Sequence, residues 1–251
     1  KPLEQRGNYE TSRRVLQIIS QVFRYAVITG RAKHNVAADL RGALRPRKTV
    51  HRAAVLEPEK VGQLLRDIDA YEGYFPLVCA LKLAPLVFTR PTELRAAQWK
   101  EFDLEAGEWR IPAERMKMRR QHLVPLSRQA MSILRELQKC SGEGKYLFPS
   151  IRTEARSISD ATMLNALRRM GYQKHEMSVH GFRSIASTLL NELGYNRDWI
   201  ERQLAHGEQD EVRAAYNYAE YLPERRKMMQ AWADYLDGLR NTQQKRIREE
   251  A

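Results

Sequence analysis

The chain has 251 residues, 43% apolar and 29% charged, a composition typical of a globular protein rather than a disordered one. Its 43 basic and 31 acidic residues give a net charge of +12, and two cysteines are too few for a disulfide framework. No Cys/His cluster indicates zinc, and the most apolar stretch, residues 74–88, is too short for a membrane span. We therefore expect a cytoplasmic protein with reduced thiols and no membrane partner.

The positive charge is concentrated at the amino-terminal end. Residues 1–52 contain twelve basic and three acidic residues, a net of +9, whereas the rest of the chain carries a net of +3. A compact basic segment on a nearly neutral body favours a polyanionic partner, most often nucleic acid. Solvated surface charge is the alternative.

The predicted elements begin with an amphipathic helix from Thr11 to Gly30, capped by its first or second residue. Gly30 can adopt the left-handed conformation that ends a helix. A second short helix is expected near residues 35–43. Two helices make only a thin core, so this segment is expected to be the end of a larger helical domain. The basic residues 45–52 are expected to form an extended linker.

The remainder of the chain is predicted to be mainly α with a small antiparallel β-sheet. Two short strands, Glu108–Pro112 and Gln121–Pro125, flank the basic run Arg115–Arg120 and predict a β-hairpin. Apolar periodicity predicts the helices. The first of them begins near residue 56, with Pro58 in its first turn. The others span about 75–88, 127–139, 160–170, 180–193, 197–205 and 223–237. A polar, frayed tail is expected at 241–251.

Two segments carry cations that could serve a cleft. Arg90 directly follows the long apolar helix, and Glu93 three residues later can hold its guanidinium; a plain ion pair at a helix end is the alternative. Lys117 lies in the predicted hairpin, from which its ammonium could reach into a cleft as a proton donor or merely solubilise the hairpin.

Two later segments add imidazole, guanidinium and phenol groups. His180 and Arg183 lie three residues apart at the start of a predicted helix, so two donors and the helix dipole suit a phosphate. A capping histidine beside a surface arginine is the alternative. His206 is followed ten residues later by Tyr216, whose phenol is a candidate nucleophile, although tyrosines more often pack half-buried.

Together these segments resemble the tyrosine recombinase (phage integrase) family, whose pattern is Arg, Lys on a β-hairpin, His-x-x-Arg, His and then Tyr. Five segments of the sequence are similar in detail to integrases of satellite phages and genomic islands. They are RPTELRAAQW, MKMRRQHLVPLS, HGFRSIASTLLNELG, ERQLAH and VRAAYNYAEYLPERRKMMQAWADYLD. The resemblance covers essentially the whole chain. It implies a tyrosine recombinase catalytic domain at residues 50–251, preceded at residues 1–49 by the C-terminal part of a helical core-binding domain. Relatives begin with an arm-site DNA-binding domain and further core-binding helices, so we expect an incomplete DNA clamp here.

The resemblance implies a site-specific DNA recombinase that integrates or excises a prophage or genomic island. In the family's chemistry a tyrosine attacks a DNA phosphodiester, forms a 3′-phosphotyrosyl link and frees a 5′-hydroxyl. A 5′-hydroxyl from another strand then reverses the step. The bond energy is kept in the covalent intermediate, so no cofactor and no metal is expected.

The resemblance also implies a role for each candidate residue. Tyr216 would be the nucleophile, with Tyr218 and Tyr221 as competitors for that role. The other implied roles are phosphate clamping by Arg90 and Arg183, protonation of the leaving oxygen by Lys117, assistance to proton transfer by His180, a phosphate hydrogen bond from His206 and orientation of Arg90 by Glu93. Phosphate contacts away from the site are expected from Arg13, Arg14, Arg119 and Arg120.

The implied partners are double-stranded DNA attachment sites, other copies of the chain in a homotetramer on DNA, and accessory DNA-bending or directionality proteins. The predicted C-terminal helix, with Met228, Met229, Trp232 and Tyr235, would either dock on a neighbouring subunit or pack within its own chain. We expect the protein in the bacterial cytoplasm, acting at the nucleoid. Rival hypotheses are a type IB topoisomerase-like relaxing enzyme and a non-catalytic helical DNA-binding module; a metal-dependent nuclease is least favoured.

Overall fold

The computed structural model describes residues 2–40, 42–44, 53–206 and 221–249, with side chains as far as residue 242. The chain divides into two compact units, residues 1–51 and residues 52–251. The first unit is small and helical, and the second contains both β-sheets and most of the helices.

The N-terminal unit is built on one long amphipathic helix. A short helix, α1 (Pro2–Gln5), precedes α2 (Tyr9–Ile28), which confirms the predicted helix with slightly earlier bounds. The predicted cap is wrong, because Asn8 is the N-cap and the Ser12 hydroxyl donates back to the Asn8 carbonyl at 3.0 Å from inside the helix. Gly30 has the expected left-handed φ, at +72°.

The prediction of a second helix near residues 35–43 is wrong. The described residues there form turns, because Asn35 Oδ1 accepts from the Ala37 N–H at 3.0 Å in an Asx-turn that competes with helix. The Asn35 amide also donates to the Ser20 hydroxyl at 2.9 Å and ties this segment to α2. The apolar stripe of α2 stays largely exposed, notably at Val15, Ile18, Ile19 and Val22.

Among the residues that the structure describes, the second unit contains eight α-helices, and the sequence predicted all of them except α5. In chain order they are α3 (Pro58–Ala70), α4 (Phe75–Val87), α5 (Pro91–Arg95), α6 (Arg128–Ser141), α7 (Asp160–Arg169), α8 (Gly181–Glu192), α9 (Arg197–Gln203) and α10 (Leu222–Glu249). The core forms around α4, because a helix that is apolar on all sides must be buried. Helices α3, α6 and α8 pack against it.

A three-stranded antiparallel sheet confirms the predicted hairpin. Strands β1 (Phe102–Asp103), β2 (Glu108–Ile111) and β3 (His122–Pro125) lie side by side in that order. The connection from β2 to β3 is long rather than tight. At its tip the Arg119 N–H donates to the Met116 carbonyl at 3.0 Å, which makes Lys117 the second residue of a turn.

A second, two-stranded sheet was not predicted. It pairs β4 (Pro149–Ser150) with β5 (Thr153–Ser157) in antiparallel fashion. Most of β5 is exposed, so its sequence lacks the alternation of apolar and polar residues that marks a half-buried strand.

The end of α4 is fixed by contacts that direct the chain towards Arg90. Phe88 adopts a left-handed φ of +35°, and its N–H donates to the Ala84 carbonyl at 3.0 Å. From α10, Trp232 Nε1 donates to the Pro85 carbonyl at 2.9 Å, and the Trp232 ring packs edge-on against Phe88 with centroids 6.3 Å apart. These bonds satisfy carbonyl oxygens that a helix end otherwise leaves unpaired.

Helix α10 packs within its own chain. The buried residues of its inner face are Arg225, Met228, Met229, Trp232, Ala233 and Leu236. The sequence left open whether this helix docks on a neighbouring subunit or packs within its own chain. Packing within the chain accounts for these buried side chains.

The predicted end of α10 and the frayed tail are wrong, because the helix continues to Glu249. Its extension lies against α3: Arg240 pairs with Asp69 at 2.9 Å, and Arg66 donates to the Arg240 carbonyl at 3.1 Å. These contacts with α3 stabilise the helix beyond the apolar stripe that the prediction used.

Helices α3 and α10 approach closely at Gly62, where a Cβ would lie 2.5 Å from the Leu239 carbonyl oxygen. We expect Gly62→Ala to lower the free energy of unfolding by about 1–3 kcal/mol, because backbone cannot rotate away as a side chain can. Gly238→Ala on α10 is the control: it meets no atom within 4 Å and should add about 0.5–1 kcal/mol through helix propensity. Denaturant unfolding of both variants checks this, and effects of the same sign would contradict the close approach.

Candidate active site

Arg90 is held at the start of α5 by Glu93. The Arg90 N–H donates to Glu93 Oε2 at 2.9 Å, and Arg90 Nη1 donates to Glu93 Oε1 at 2.7 Å, as the sequence predicted. The Glu93 carboxylate is buried, so this charge-assisted pair is shielded from water. Arg90 Nη2 reaches across the fold and donates to the Ala205 carbonyl at 2.8 Å.

Arg183 meets the same turn from α8. Its side chain is 4% exposed. Nη1 donates to the Phe88 carbonyl at 2.8 Å, and Nη2 donates to the Leu204 carbonyl at 2.7 Å. Burial and then the neighbouring charge of Arg90 lower the pKa of Arg183 to about 10, so its guanidinium stays charged at neutral pH. Arg90 and Arg183, hereafter the arginine pair, thus bind adjacent carbonyls.

His206 follows that turn and contacts the arginine pair. Arg183 Nη2 lies 3.2 Å from His206 Nε2, and Glu201 Oε2 lies 2.7 Å from His206 Nδ1. A guanidinium can only donate, so Nε2 carries the lone pair and the Nδ1–H donates to the carboxylate. The imidazole is therefore oriented from both sides, and a hydrogen bond from Nε2 to a phosphate requires a proton there.

A cleft of about 380 Å³ opens beside Arg90. Lys117 reaches it from the exposed hairpin turn, and His180 reaches it from the residue that precedes α8. The facing wall is formed by residues at the start of α7, among them Ser159 and Asp160. Three predicted residues, Arg90, Lys117 and His180, therefore share a cleft. Arg183 contacts His206 directly, and it is connected to Arg90 through the adjacent carbonyls of Leu204 and Ala205.

Two largely buried arginines support this site, and sequence patterns alone did not indicate their role. Arg115 pairs with Glu101 and also donates to the Glu93 carbonyl, which ties the connection between β2 and β3 to the partner of Arg90. Arg225 on α10 bonds to Gln203. A signal existed for Arg225, because it lies three, four and seven residues before the buried Met228, Met229 and Trp232 and so shares their face.

The candidate nucleophile Tyr216 lies outside the described residues, as does its competitor Tyr218. Tyr221 is half-buried immediately before α10, with a left-handed φ of +48°. The arginines predicted to contact DNA away from the site are exposed: Arg13, Arg14, Arg119 and Arg120.

The two cysteines are not among the residues that line this cleft. Cys79 is buried and Cys140 exposed, both as free thiols, and burial raises the pKa of Cys79 to about 11. Within the described ranges, no His, Cys, Asp or Glu side chains form a group of three or more that could hold a metal ion. Nor does any described helix have the length and apolarity to cross a membrane.

Comparison with known proteins identifies the family. Residues 54–222 match the model of the phage integrase family, and residues 1–43 match that of the phage integrase central domain. The chain belongs to the phage integrase family. It is 42% identical to the integrase of Enterobacteria phage P4, over 96% of its own length and 58% of that protein. It is 40% identical to prophage integrase IntA of Escherichia coli (strain K12), over 93% of its own length and 56% of that protein.

The chain therefore spans less than two thirds of the length of these curated relatives. Its fold is that of solved recombinases. Lambda integrase (residues 75–356) bound to DNA matches with a TM-score of 0.63 and 18% identity, over 90% of this chain and 78% of that one. The Tn1549 transposon integrase in complex with circular intermediate DNA matches with a TM-score of 0.62 and 14% identity, over 90% of this chain and 81% of that one. The predicted fold class is confirmed.

His122 in β3 gives a pH-dependent contribution to stability. Burial, followed by the nearby charge of Arg225, lowers the pKa of His122 to about 3. The unfolded chain takes up this proton near its ordinary pKa of about 6.5. Stability from His122 is thus complete above that pH and decreases as the pH falls towards about 3, by up to about 1.4 kcal/mol per pH unit.

We expect His122→Gln to flatten the pH dependence of the unfolding free energy between about pH 4 and pH 6. Denaturant unfolding at several pH values measures the slope for the variant and the wild type. His175→Gln, at an exposed position, is the matched control and should retain the wild-type slope. Equal slopes for His122→Gln and the wild type would show that His122 is not buried in its neutral form.

Proposed function

We propose that this integrase cuts and rejoins DNA at specific sites through a 3′-phosphotyrosyl intermediate, and so integrates or excises a prophage or genomic island. The observation that carries the proposal is the contact of Arg90 and Arg183 with adjacent carbonyls, beside a cleft lined by Lys117 and His180. Membership of the phage integrase family supports the reaction class.

The arginine pair would clamp the two non-bridging oxygens of the scissile phosphate. Contacts with Glu93 and Ala205 occupy two side-chain N–H groups of Arg90. Contacts with Phe88, Leu204 and His206 occupy three side-chain N–H groups of Arg183. Each guanidinium has five N–H groups, so both retain donors for the oxygens on which charge grows in the pentavalent transition state.

Lys117 would protonate the leaving 5′-oxygen, and His180 would assist proton transfer. Both line the cleft beside Arg90, so a phosphate bound by the arginine pair would lie next to an ammonium and an imidazole. The position of Lys117 on an exposed turn gives it room to follow the leaving group.

Tyr216 would attack the phosphorus atom. His206 would hydrogen-bond a phosphate oxygen from Nε2, with a proton on that nitrogen in place of the bond that it accepts from Arg183. Tyr216 lies ten residues after His206, whose side chain contacts Arg183. The surrounding positive charge would offset the repulsion between an anionic phosphodiester and an incoming phenolate. Glu93 would act only by orienting Arg90.

The proposed partner is double-stranded DNA containing an attachment site. Solved structures with this fold include a lambda integrase tetramer bound to a Holliday junction, which supports a homotetramer on DNA here. Residues 1–49 would serve as part of the core-binding domain, with Arg13 and Arg14 on phosphates, and Arg119 and Arg120 would contact phosphates from the hairpin. Accessory DNA-bending or directionality proteins would control the direction of recombination.

We expect the wild-type chain to form adducts that survive SDS on nicked duplexes whose sequence is randomised around the nick. Such a substrate loses the short cleaved strand and so traps the phosphotyrosyl link. Tyr216→Phe should reduce adducts by at least about a thousandfold, because it removes the nucleophile. Tyr218→Phe and Tyr221→Phe are the matched controls and should retain them, and EDTA should change nothing.

Sequencing the trapped strands would give the preferred site. Adducts that persist in Tyr216→Phe but disappear in one of the control variants would move the nucleophile to that residue. Salt-sensitive binding without any adduct would favour a non-catalytic DNA-binding module. Plasmid relaxation without a preferred site would favour a topoisomerase-like enzyme.

Lys117→Ala should slow cleavage of an ordinary phosphodiester by about a hundredfold or more, as expected for loss of a general acid. On a linkage with sulfur in place of the bridging 5′-oxygen it should cleave at close to the wild-type rate, because a thiolate leaves without a proton. Arg90→Ala is the control and should be slow on both substrates. If sulfur fails to restore Lys117→Ala, Lys117 is not the proton donor.

A further inference from the structure

Beneath the turn that holds the arginine pair lies a buried polar cluster of Gln203, Arg225 and His122, here the Gln203 cluster. All three side chains are less than a tenth exposed. Arg225 donates to Gln203 Oε1 from Nη2 at 2.7 Å and from Nε at 3.1 Å. His122 Nε2 lies 3.1 Å from the Gln203 carbonyl, and since a carbonyl can only accept, the imidazole donates.

The cluster fixes Gln203 at two points. Arg225 holds its side chain from α10, and His122 holds its backbone from β3, at the foot of the hairpin that carries Lys117. Arg225 also donates to the carbonyl of Leu123, so α10 and β3 are tied to each other. Two parallel N–H donors to one oxygen leave Gln203 little freedom to rotate.

Arg225 sets the orientation of the Gln203 amide, and that orientation leaves the amide nitrogen without a hydrogen bond. Among the described residues, Gln203 Nε2 has no hydrogen-bond partner although it is buried. An unpaired buried amide donor costs about 1–3 kcal/mol. The amide therefore tolerates an unsatisfied N–H in order to present its oxygen to the guanidinium.

Gln203 ends α9 and is followed directly by Leu204 and Ala205, whose carbonyls accept from Arg183 and Arg90. Any rotation of Gln203 would redirect those two carbonyls. His206, the next residue, contacts Arg183 as well. Gln203 thus lies one and two residues before the carbonyls that bind the arginine pair, and three residues before the imidazole that contacts Arg183.

We propose that Arg225 is a positioning residue for DNA cleavage: through Gln203 it holds the Leu204 and Ala205 carbonyls in the direction that aims Arg183 and Arg90 at the phosphate. In this role Arg225 acts through Gln203 and not on the phosphate itself. The proposal rests on the proposed function, since it concerns the same arginine pair.

The test measures single-turnover cleavage and DNA affinity separately, with the duplex recovered from the wild-type adducts. Arg225→Lys keeps the charge but loses the paired donors, and should slow cleavage about 10- to 100-fold while DNA affinity and the unfolding midpoint stay close to wild type. Arg226→Lys is the matched control. Arg226 occupies the neighbouring position of α10 and pairs with Glu108 of β2, so this variant should cleave at the wild-type rate.

A second substrate separates positioning from general damage. In a methylphosphonate linkage a methyl group replaces one non-bridging oxygen, so the phosphate is neutral and depends less on the arginine pair. We expect the defect of Arg225→Lys to shrink at least about fivefold on this substrate, whereas the defect of Lys117→Ala should remain. An equal defect on both substrates would overturn the proposal.

If Arg225→Lys does not fold, His122→Leu tests the same link without changing charge, because His122 is neutral. It removes the donor to the Gln203 carbonyl and should slow cleavage about 3- to 30-fold, again with partial recovery on the methylphosphonate. Wild-type cleavage rates in the folded variants would refute the positioning role. Absence of cleavage by the wild-type chain would instead refute the proposed function.

Discussion

Two guanidinium groups share one turn of main chain, and the candidate site depends on this interaction. Arg90 and Arg183 approach from different helices and bind the carbonyls of Ala205 and Leu204. Burial, and then the neighbouring charge of Arg90, lower the pKa of Arg183. The buried carboxylate of Glu93 and the carbonyl dipoles offset the repulsion between the two guanidinium groups. The arrangement stays rich in positive charge, which is what an anionic phosphodiester needs.

The site comes from segments that are far apart in the sequence. The bond from Arg90 to Ala205 joins residues 115 positions apart, and that from Arg225 to Leu123 joins residues 102 apart. Helix α4 supplies the Phe88 carbonyl, and α10 holds that end of α4 through Trp232. Because these bonds form only when the whole second unit is folded, substitutions that loosen α10 or β3 are expected to weaken the site without touching it.

Local patterns predicted most of the fold. The apolar run of α4, the amphipathic faces of α2 and α3, and the strands on either side of Lys117 all have strong local signals. The failures have physical reasons. Asn35 formed an Asx-turn where a helix was expected, α10 was extended by contacts with α3, and β5 is too exposed to show alternation.

For the site, the resemblance of the ordered segments to the tyrosine recombinase pattern pointed to Arg90, Lys117, His180, Arg183 and His206. Sequence could not show what holds them, because the carbonyls of Leu204 and Ala205 carry no side-chain signature. Arg225 and His122 were missed for a related reason: a buried polar residue is recognised by its partners, which lie on other elements. The helical register of Arg225 was the available clue.

The most direct test of the account is a structure of this chain with nicked attachment-site DNA and orthovanadate, which adopts the five-coordinate geometry of a phosphoryl transition state. The account predicts vanadium with equatorial oxygens bonded to Arg90 and Arg183, the Tyr216 oxygen at one apex and the 5′-oxygen at the other, with Lys117 beside it. A vanadate bound away from the arginine pair, or with no tyrosine at its apex, would contradict the account.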